Sequence, residues 1–192
     1  MKESKIIYFK EPKLRKPILI EGLPGIGNVG RITAGYLVSE LPTKKFAELY
    51  SPHFLPLVIV QRNGEARLLR GEFYYYRGKK RDLIFLVGDS QSITPNGYYE
   101  ITGKIVELAK KFKVSEIISL GGLGVEKLVE KPRIIGAAND ESLIKKYEKY
   151  GVRFGGPVEN IVGISGLLLG IAKMAGIKAV CLLAETAGFP LV

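Results

Sequence analysis

The chain has 192 residues, of which 46% are hydrophobic, a formal charge of +10 and one cysteine, Cys181. That length and apolar content suit one α/β domain with a sizeable core and exclude global disorder. A lone cysteine excludes an intrachain disulfide and fits a reducing, cytoplasmic setting, and the longest apolar run, 161–172, is too short to span a bilayer, so no membrane partner is expected.

Residues 6–9 read as a short strand, and Pro12 and Pro17 punctuate the link to a second strand at 18–21. A glycine-rich turn follows, Gly22-Leu23-Pro24-Gly25-Ile26-Gly27-Asn28-Val29-Gly30. It opens a helix over 29–41 whose apolar face is expected to be Val29, Ile32, Thr33, Tyr36 and Leu37, and Pro42 stops it. Residues 46–50 and 57–61 read as strands, Asn63-Gly64 as a hairpin turn, and 66–76 as the partner strand.

Residues 82–87 read as a buried strand. Thr94 as N-cap and Pro95 at the first helical position predict a helix over 95–112, with Tyr98, Ile101, Ile105, Leu108 and Phe112 inward. A strand at 116–120 ends in Gly121-Gly122-Leu123-Gly124, and another is expected at 133–137. Asn139 or Asp140 then caps a helix to Tyr150 with Leu143, Ile144 and Tyr147 inward. Gly151, Gly155, Gly156 and Pro157 form a loop, and 161–175 reads as a helix apolar almost all round, hence buried. A last strand at 178–184 leads to Ala187-Gly188-Phe189-Pro190-Leu191-Val192.

Alternating strands and helices indicate a single α/β domain over 1–192, with helices on both faces of a mixed sheet. A doubly covered sheet usually sends another helix back over its last strand. A C-terminal segment is therefore expected beyond residue 192.

The basic residues fall into small groups, such as Lys110, Lys111 and Lys113, or Lys145, Lys146 and Lys149, each at the end of an expected element. There they are solvated and suit the helix dipole. No basic stretch is interleaved with aromatics, so nucleic-acid binding is not expected.

Gly25-Ile26-Gly27-Asn28-Val29-Gly30 fits the G-x-G-x-x-G dinucleotide pattern, but Gly22-Leu23-Pro24 separate it from the strand. The acidic ribose partner would be Glu48, which falls inside a strand. The turn is either a phosphate cradle or a device for packing a helix on a sheet. Gly163-Ile164-Ser165-Gly166-Leu167 lacks the last glycine of a nucleophile elbow, and a Walker loop is absent. His53 is the sole histidine and stands apart from any Cys or His, which excludes a histidine-rich metal site. Cys181 reads as an inert core thiol. No catalytic residue, metal or cofactor is therefore assigned. The ligand candidates are Gly25, Gly27, Gly30, Asp89, Gly121 and Gly122, which together would line the crevice at the strand ends. Asp89 reads equally as a cap of its own loop.

The ordered set Glu21-Gly22-Leu23-Pro24-Gly25-Ile26-Gly27-Asn28-Val29-Gly30, Gly88-Asp89-Ser90-Gln91, Gly121-Gly122-Leu123-Gly124 and Ala184-Glu185-Thr186-Ala187-Gly188-Phe189-Pro190 spans nearly the whole chain. It resembles the archaeal proteasome assembly chaperone homologues, the proteasome assembly chaperone 2-like family once labelled ATP-grasp-like. The resemblance implies a three-layer α/β/α sandwich with a mixed, mostly parallel sheet, similar to nucleoside phosphorylases and hydrolases but without their chemistry. It implies a non-enzymatic, ATP-independent chaperone or adaptor that self-associates and binds 20S proteasome α subunits or related assembly factors. The alternative is a nucleotide- or metabolite-binding protein using the glycine-rich crevice. The family docks through a hydrophobic-Tyr-any-residue tail on a C-terminal helical extension. This sequence ends Pro190-Leu191-Val192, so no docking residue carries over.

Overall fold

Runs rich in Ile, Leu and Val, each bounded by turn residues, pair side by side and make the middle of one sheet. The computed structural model describes residues 1–126, 130–156 and 158–187. The first strands are β1 (Lys5–Tyr8), β2 (Ile18–Gly22), β3 (Lys44–Tyr50), β4 (Val58–Val60) and β5 (Ala66–Leu68). They are followed by β6 (Gly71–Tyr76), β7 (Leu83–Gly88), β8 (Glu116–Gly124), β9 (Ile134–Ala138), β10 (Arg153–Phe154) and β11 (Lys178–Thr186). The helices are α1 (Val29–Glu40), α2 (Pro95–Lys111), α3 (Glu141–Glu148) and α4 (Ile164–Met174).

Among the described residues, nine strands form one sheet in the order β1-β3-β6-β7-β2-β8-β11-β9-β10. The central run β7-β2-β8-β11 is parallel, β1, β3 and β6 flank it antiparallel, and β9 lies antiparallel to β11. Strand alternation separates the two faces. Leu19, Ile117 and Ala179 point into a core shared with Ile101, Ile105 and Leu108 of α2 and Ile164, Leu168 and Ala172 of α4. On the other face Gly22 meets α1, and Val180 packs with Leu143 and Tyr147 of α3. The fold is the expected three-layer α/β/α sandwich. Phe46 anchors the larger core, with ring centroids 5.2 Å from Phe112 and 6.1 Å from Phe73.

The Thr94 hydroxyl accepts the Gly97 amide at 3.1 Å, which caps α2 as expected. Asp140 accepts the Ser142 amide at 2.9 Å and so settles the cap of α3. The basic residues Lys110, Lys111, Lys145 and Lys146 fill last helical turns, where the dipole favours cations.

Four expectations are corrected. The 66–76 strand breaks in two. β5 pairs only with β4 in a separate ribbon around the Asn63-Gly64 turn, while β6 joins the main sheet. The 116–120 strand runs on through its glycines, because Gly121 to Gly124 pair with Leu183 to Thr186 of β11. The 161–175 helix starts only at Ile164, since Gly163 has φ 93°, and it is partly exposed rather than buried all round, with Gly170, Lys173 and Met174 in solvent. The apolar face expected for α1 is largely outward. Ile32 and Tyr36 are exposed, while Gly30 and Ala34 are buried. The backbone of α1 comes so close to the sheet that only small residues fit between them, so the large ones face outward. The short strand β10 was not anticipated. Pro157 of the expected loop and residues 188–192, including Gly188-Phe189-Pro190 of the closing motif, lie outside the described residues.

Candidate functional site

β2, β8 and β11 end side by side, and a crevice of about 410 Å3 opens at their carboxyl ends. Parallel sheets bind ligands at such places. The walls are the Leu23-Pro24-Gly25-Ile26 turn, Leu120-Gly121-Gly122-Leu123 of β8 and the 160–163 approach to α4. Of the six candidates from sequence, Gly25, Gly121 and Gly122 line the crevice; Gly27, Gly30 and Asp89 do not.

The glycines off the crevice have steric work. A Cβ on Gly30 would lie 2.2 Å from the Leu120 carbonyl oxygen, and one on Gly22 would lie 2.2 Å from that of Gly30. Even Gly122, which lines the crevice, would place a Cβ 2.2 Å from the Ile26 carbonyl oxygen. Backbone therefore rests on backbone at three successive points, from β2 to α1 to β8. Gly27 turns the chain into α1 with φ 61°, a conformation glycine adopts without strain.

A phosphate cradle needs amides free to point at the anion. Here the Asn28 amide donates to the Gly25 carbonyl at 2.9 Å and the Val29 amide to that of Ile26. Both are used to close the turn. Glu48, the ribose partner expected by spacing, sits on β3, three strands from β2 and so roughly 14 Å across the sheet. It pairs with Lys45 at 2.6 Å and Arg70 at 3.2 Å. The geometry thus favours the packing turn over the dinucleotide fingerprint.

Asp89 is neither in the crevice nor a cap of its own loop. The Arg67 guanidinium grips its carboxylate at 2.6 and 3.1 Å, and the Arg70 amide donates to it at 3.1 Å. Burial opposes its ionisation, but these partners outweigh it and hold the carboxyl below its ordinary value. Asp89 latches the β4–β5 ribbon to the end of β7.

Beneath the crevice floor lies a polar cluster. Glu21 is fully buried; it accepts the Leu23 amide at 2.9 Å and the Ser165 hydroxyl at 3.0 Å. Burial pushes its carboxyl up to about 7, against the opposing pull of those two hydrogen bonds. The Ser119 hydroxyl donates to the Ser165 carbonyl at 3.0 Å. Burial also pushes the Cys181 thiol up to about 12, which keeps it inert at neutral pH. Ser165 has a carboxyl partner and no imidazole. His53 is engaged elsewhere, with Thr94 at 2.8 Å and Glu100 at 3.4 Å. Among the described residues, no buried side-chain polar atom lacks a hydrogen-bond partner, and no cluster of His, Cys, Asp or Glu could hold a metal. Among the same residues, no helix is long and apolar enough to cross a membrane.

Gln91 was missed as a site residue. Its side chain crosses the mouth of the crevice, donating to the Pro24 carbonyl at 2.6 Å and accepting the Ile164 amide at 3.0 Å. It ties the glycine turn to the start of α4. The signal was its place two residues after Asp89, in a loop leaving a buried strand.

The model of the PAC2 family matches residues 19–190. A Methanocaldococcus jannaschii protein, MJ1210, is 38% identical over 176 residues, which are 92% of this chain and 68% of that protein. Among solved structures, PbaB of Pyrococcus furiosus, an archaeal proteasome activator, is 40% identical with a TM-score of 0.92, covering 98% of this chain and 82% of PbaB. PbaA of the same organism, an archaeal homolog of proteasome-assembly chaperone, is 32% identical with a TM-score of 0.78, covering 96% of this chain and 77% of PbaA.

Proposed function

The chain belongs to the PAC2 family, and from that premise we propose that it is a non-enzymatic, nucleotide-independent adaptor of the proteasome. In this reading it is cytoplasmic, self-associates, and binds α subunits of the 20S particle or related assembly factors through its exterior. The observation that carries the reading is its likeness to PbaB, 40% identical and superposing with a TM-score of 0.92. The likeness to PbaA is lower in both measures, 32% and 0.78, so a partner that docks on the assembled particle is favoured over one that acts only on assembly intermediates. The crevice supports the same reading. Gly122 at its rim packs on the Ile26 backbone, and Glu21, Ser165 and Gln91 are hydrogen-bonded to the protein itself.

The test is sedimentation of the full-length protein with purified archaeal 20S proteasome at physiological salt, with and without ATP. The protein is expected to travel with the particle equally in both conditions. Absence of association, or association only with ATP, contradicts the reading.

A further inference from the structure

β7, β2 and β8 run parallel and side by side, about 4.8 Å apart, so the segments that lead into them meet at the end of the sheet opposite the crevice. Those segments are 77–81, 13–16 and 110–113. The three turns touch. The Arg15 amide donates to Asp82 at 2.8 Å, the Arg15 guanidinium donates to the Gly78 carbonyl, and the Ser115 amide donates to the Pro17 carbonyl at 2.9 Å. They hold ten of the chain's 29 basic residues and no acidic one. The 19 basic residues left equal the 19 acidic ones, so the excess of +10 is what these three turns carry. All ten are exposed. Arg15 pairs with Asp82 at 3.1 Å and Lys111 with Glu11 at 2.5 Å, while the other eight make no ion pair among the described residues.

A helix dipole does not account for this crowding. Only 110–113 ends a helix, and one helix end offsets about half a charge. Two of the lysines also stand where the backbone favours glycine, Lys16 with φ 40° and Lys113 with φ 53°. Lys113 follows the last turn of α2, where the Val114 amide donates to the Ala109 carbonyl at 2.8 Å, a helix ending that usually carries glycine. The Ser115 hydroxyl donates to the Lys16 carbonyl at 3.2 Å, so both strained lysines lie on touching turns. Like charges crowded together, two of them on strained backbone, cost stability that no contact within the chain offsets.

We infer that this basic end of the sheet is a docking surface for an acidic, carboxylate-rich face of a protein partner. The inference rests on the proteasome reading above and adds where this chain is met and with what charge. Charge complementarity is the first argument, since eight unpaired cations at one end of an otherwise balanced chain draw an acidic face to that end. A second copy brings the same ten charges and is repelled. A nucleic acid is less well matched. Phe112, the one aromatic residue in the three segments, is buried, so no ring is offered for base stacking. Seven of the ten are lysines, whereas paired recognition of phosphate favours arginine, and the Arg15 fork is occupied by Asp82 and Gly78. The hydrogen bonds between the turns hold the surface in place before contact.

The probe is purified archaeal 20S proteasome, immobilised, and the association and dissociation rates of the full-length protein are read at low and high salt. The wild-type association rate is expected to fall at least about tenfold as salt rises, with a smaller change in dissociation. Lys79→Glu/Lys80→Glu is expected to slow association about tenfold at low salt and to flatten the salt dependence, with an unchanged circular dichroism spectrum. Arg31→Glu/Arg62→Glu makes the same change in net charge on exposed residues at the crevice end, and is expected to leave the rate near wild type. Lys16→Gly/Lys113→Gly removes charge and strain together, so it is expected to raise the urea midpoint and yet slow association several-fold. A particle bound at a salt-independent rate, slowed equally by both glutamate pairs, or not slowed by the glycine pair overturns the inference and leaves the reading standing. A wild type that does not bind the particle overturns both. A duplex RNA bound more tightly than the particle, and released by Lys79→Glu/Lys80→Glu, gives this end to nucleic acid and also overturns the inference.

Discussion

Gly30→Ala is expected to destabilise the protein by about 3 kcal/mol in urea unfolding, although the same change in a free helix stabilises by about 1 kcal/mol. The reason is position. The added Cβ would lie 2.2 Å from the Leu120 carbonyl oxygen, and both atoms belong to backbone held by regular structure. Relief requires α1 to lift off β8. That would also loosen its contact with Gly22, where the next glycine meets the Gly30 carbonyl. Gly35 provides an internal control five residues further along α1. A Cβ there meets nothing within 4 Å, so Gly35→Ala is expected to stabilise by about 0.5–1 kcal/mol. Opposite signs from the same substitution on one helix separate close packing from helix propensity. A neutral Gly30→Ala would mean that these glycines are not spacers.

The second large effect is a pH dependence that Glu21→Gln removes. Burial raises the Glu21 carboxyl from its ordinary 4.5 to about 7. A carboxyl whose folded pKa is raised gives stability that is fully present below pH 4.5 and lost as pH rises to about 7, because the folded state then holds a proton that the unfolded state has released. The loss across that window is roughly 3 kcal/mol. Glutamine retains an oxygen for the Leu23 amide and offers an amide to the Ser165 hydroxyl, so the fold is kept without the ionisation. Other carboxyls, such as Asp89 and Glu48, are held below their ordinary values and lose stability in the opposite sense as pH falls. The quantity to plot is therefore the difference between wild type and Glu21→Gln. It should fall by roughly 3 kcal/mol from pH 4.5 to 7 and level off above. A difference that stays flat over that range would show that Glu21 is not held in a dry site.

How much of this was legible in the sequence depended on how far each feature is local. The central strands and α2 were readable because their apolar periodicity and the Thr94-Pro95 start signal are carried by neighbouring residues. The buried face of α1 was not. Periodicity points to the large residues Ile32 and Tyr36, but the choice of face is made by β8, whose Leu120 carbonyl leaves room only for Gly30. In retrospect Gly30 and Ala34, four apart and following Gly22, carried that information. The break between β5 and β6 was hidden because 66–76 is β-favouring throughout. What separates the two strands is long-range: Asp89 binds Arg67 and the Arg70 amide. The crevice was half legible. Its glycine rims are motifs, whereas the Gln91 staple and the Glu21–Ser165 pair join residues 73 and 144 positions apart. Fold and family followed from ordered local motifs, while the roles of single side chains depended on contacts that no spacing encodes.

The central claim is that the glycine-rich turn at 22–30 packs a helix against a sheet and holds no nucleotide. Titration calorimetry of the full-length protein with ATP, ADP and NAD measures this directly. The account predicts no saturable heat and no turnover with any of the three. Stoichiometric binding of any of the three would contradict it.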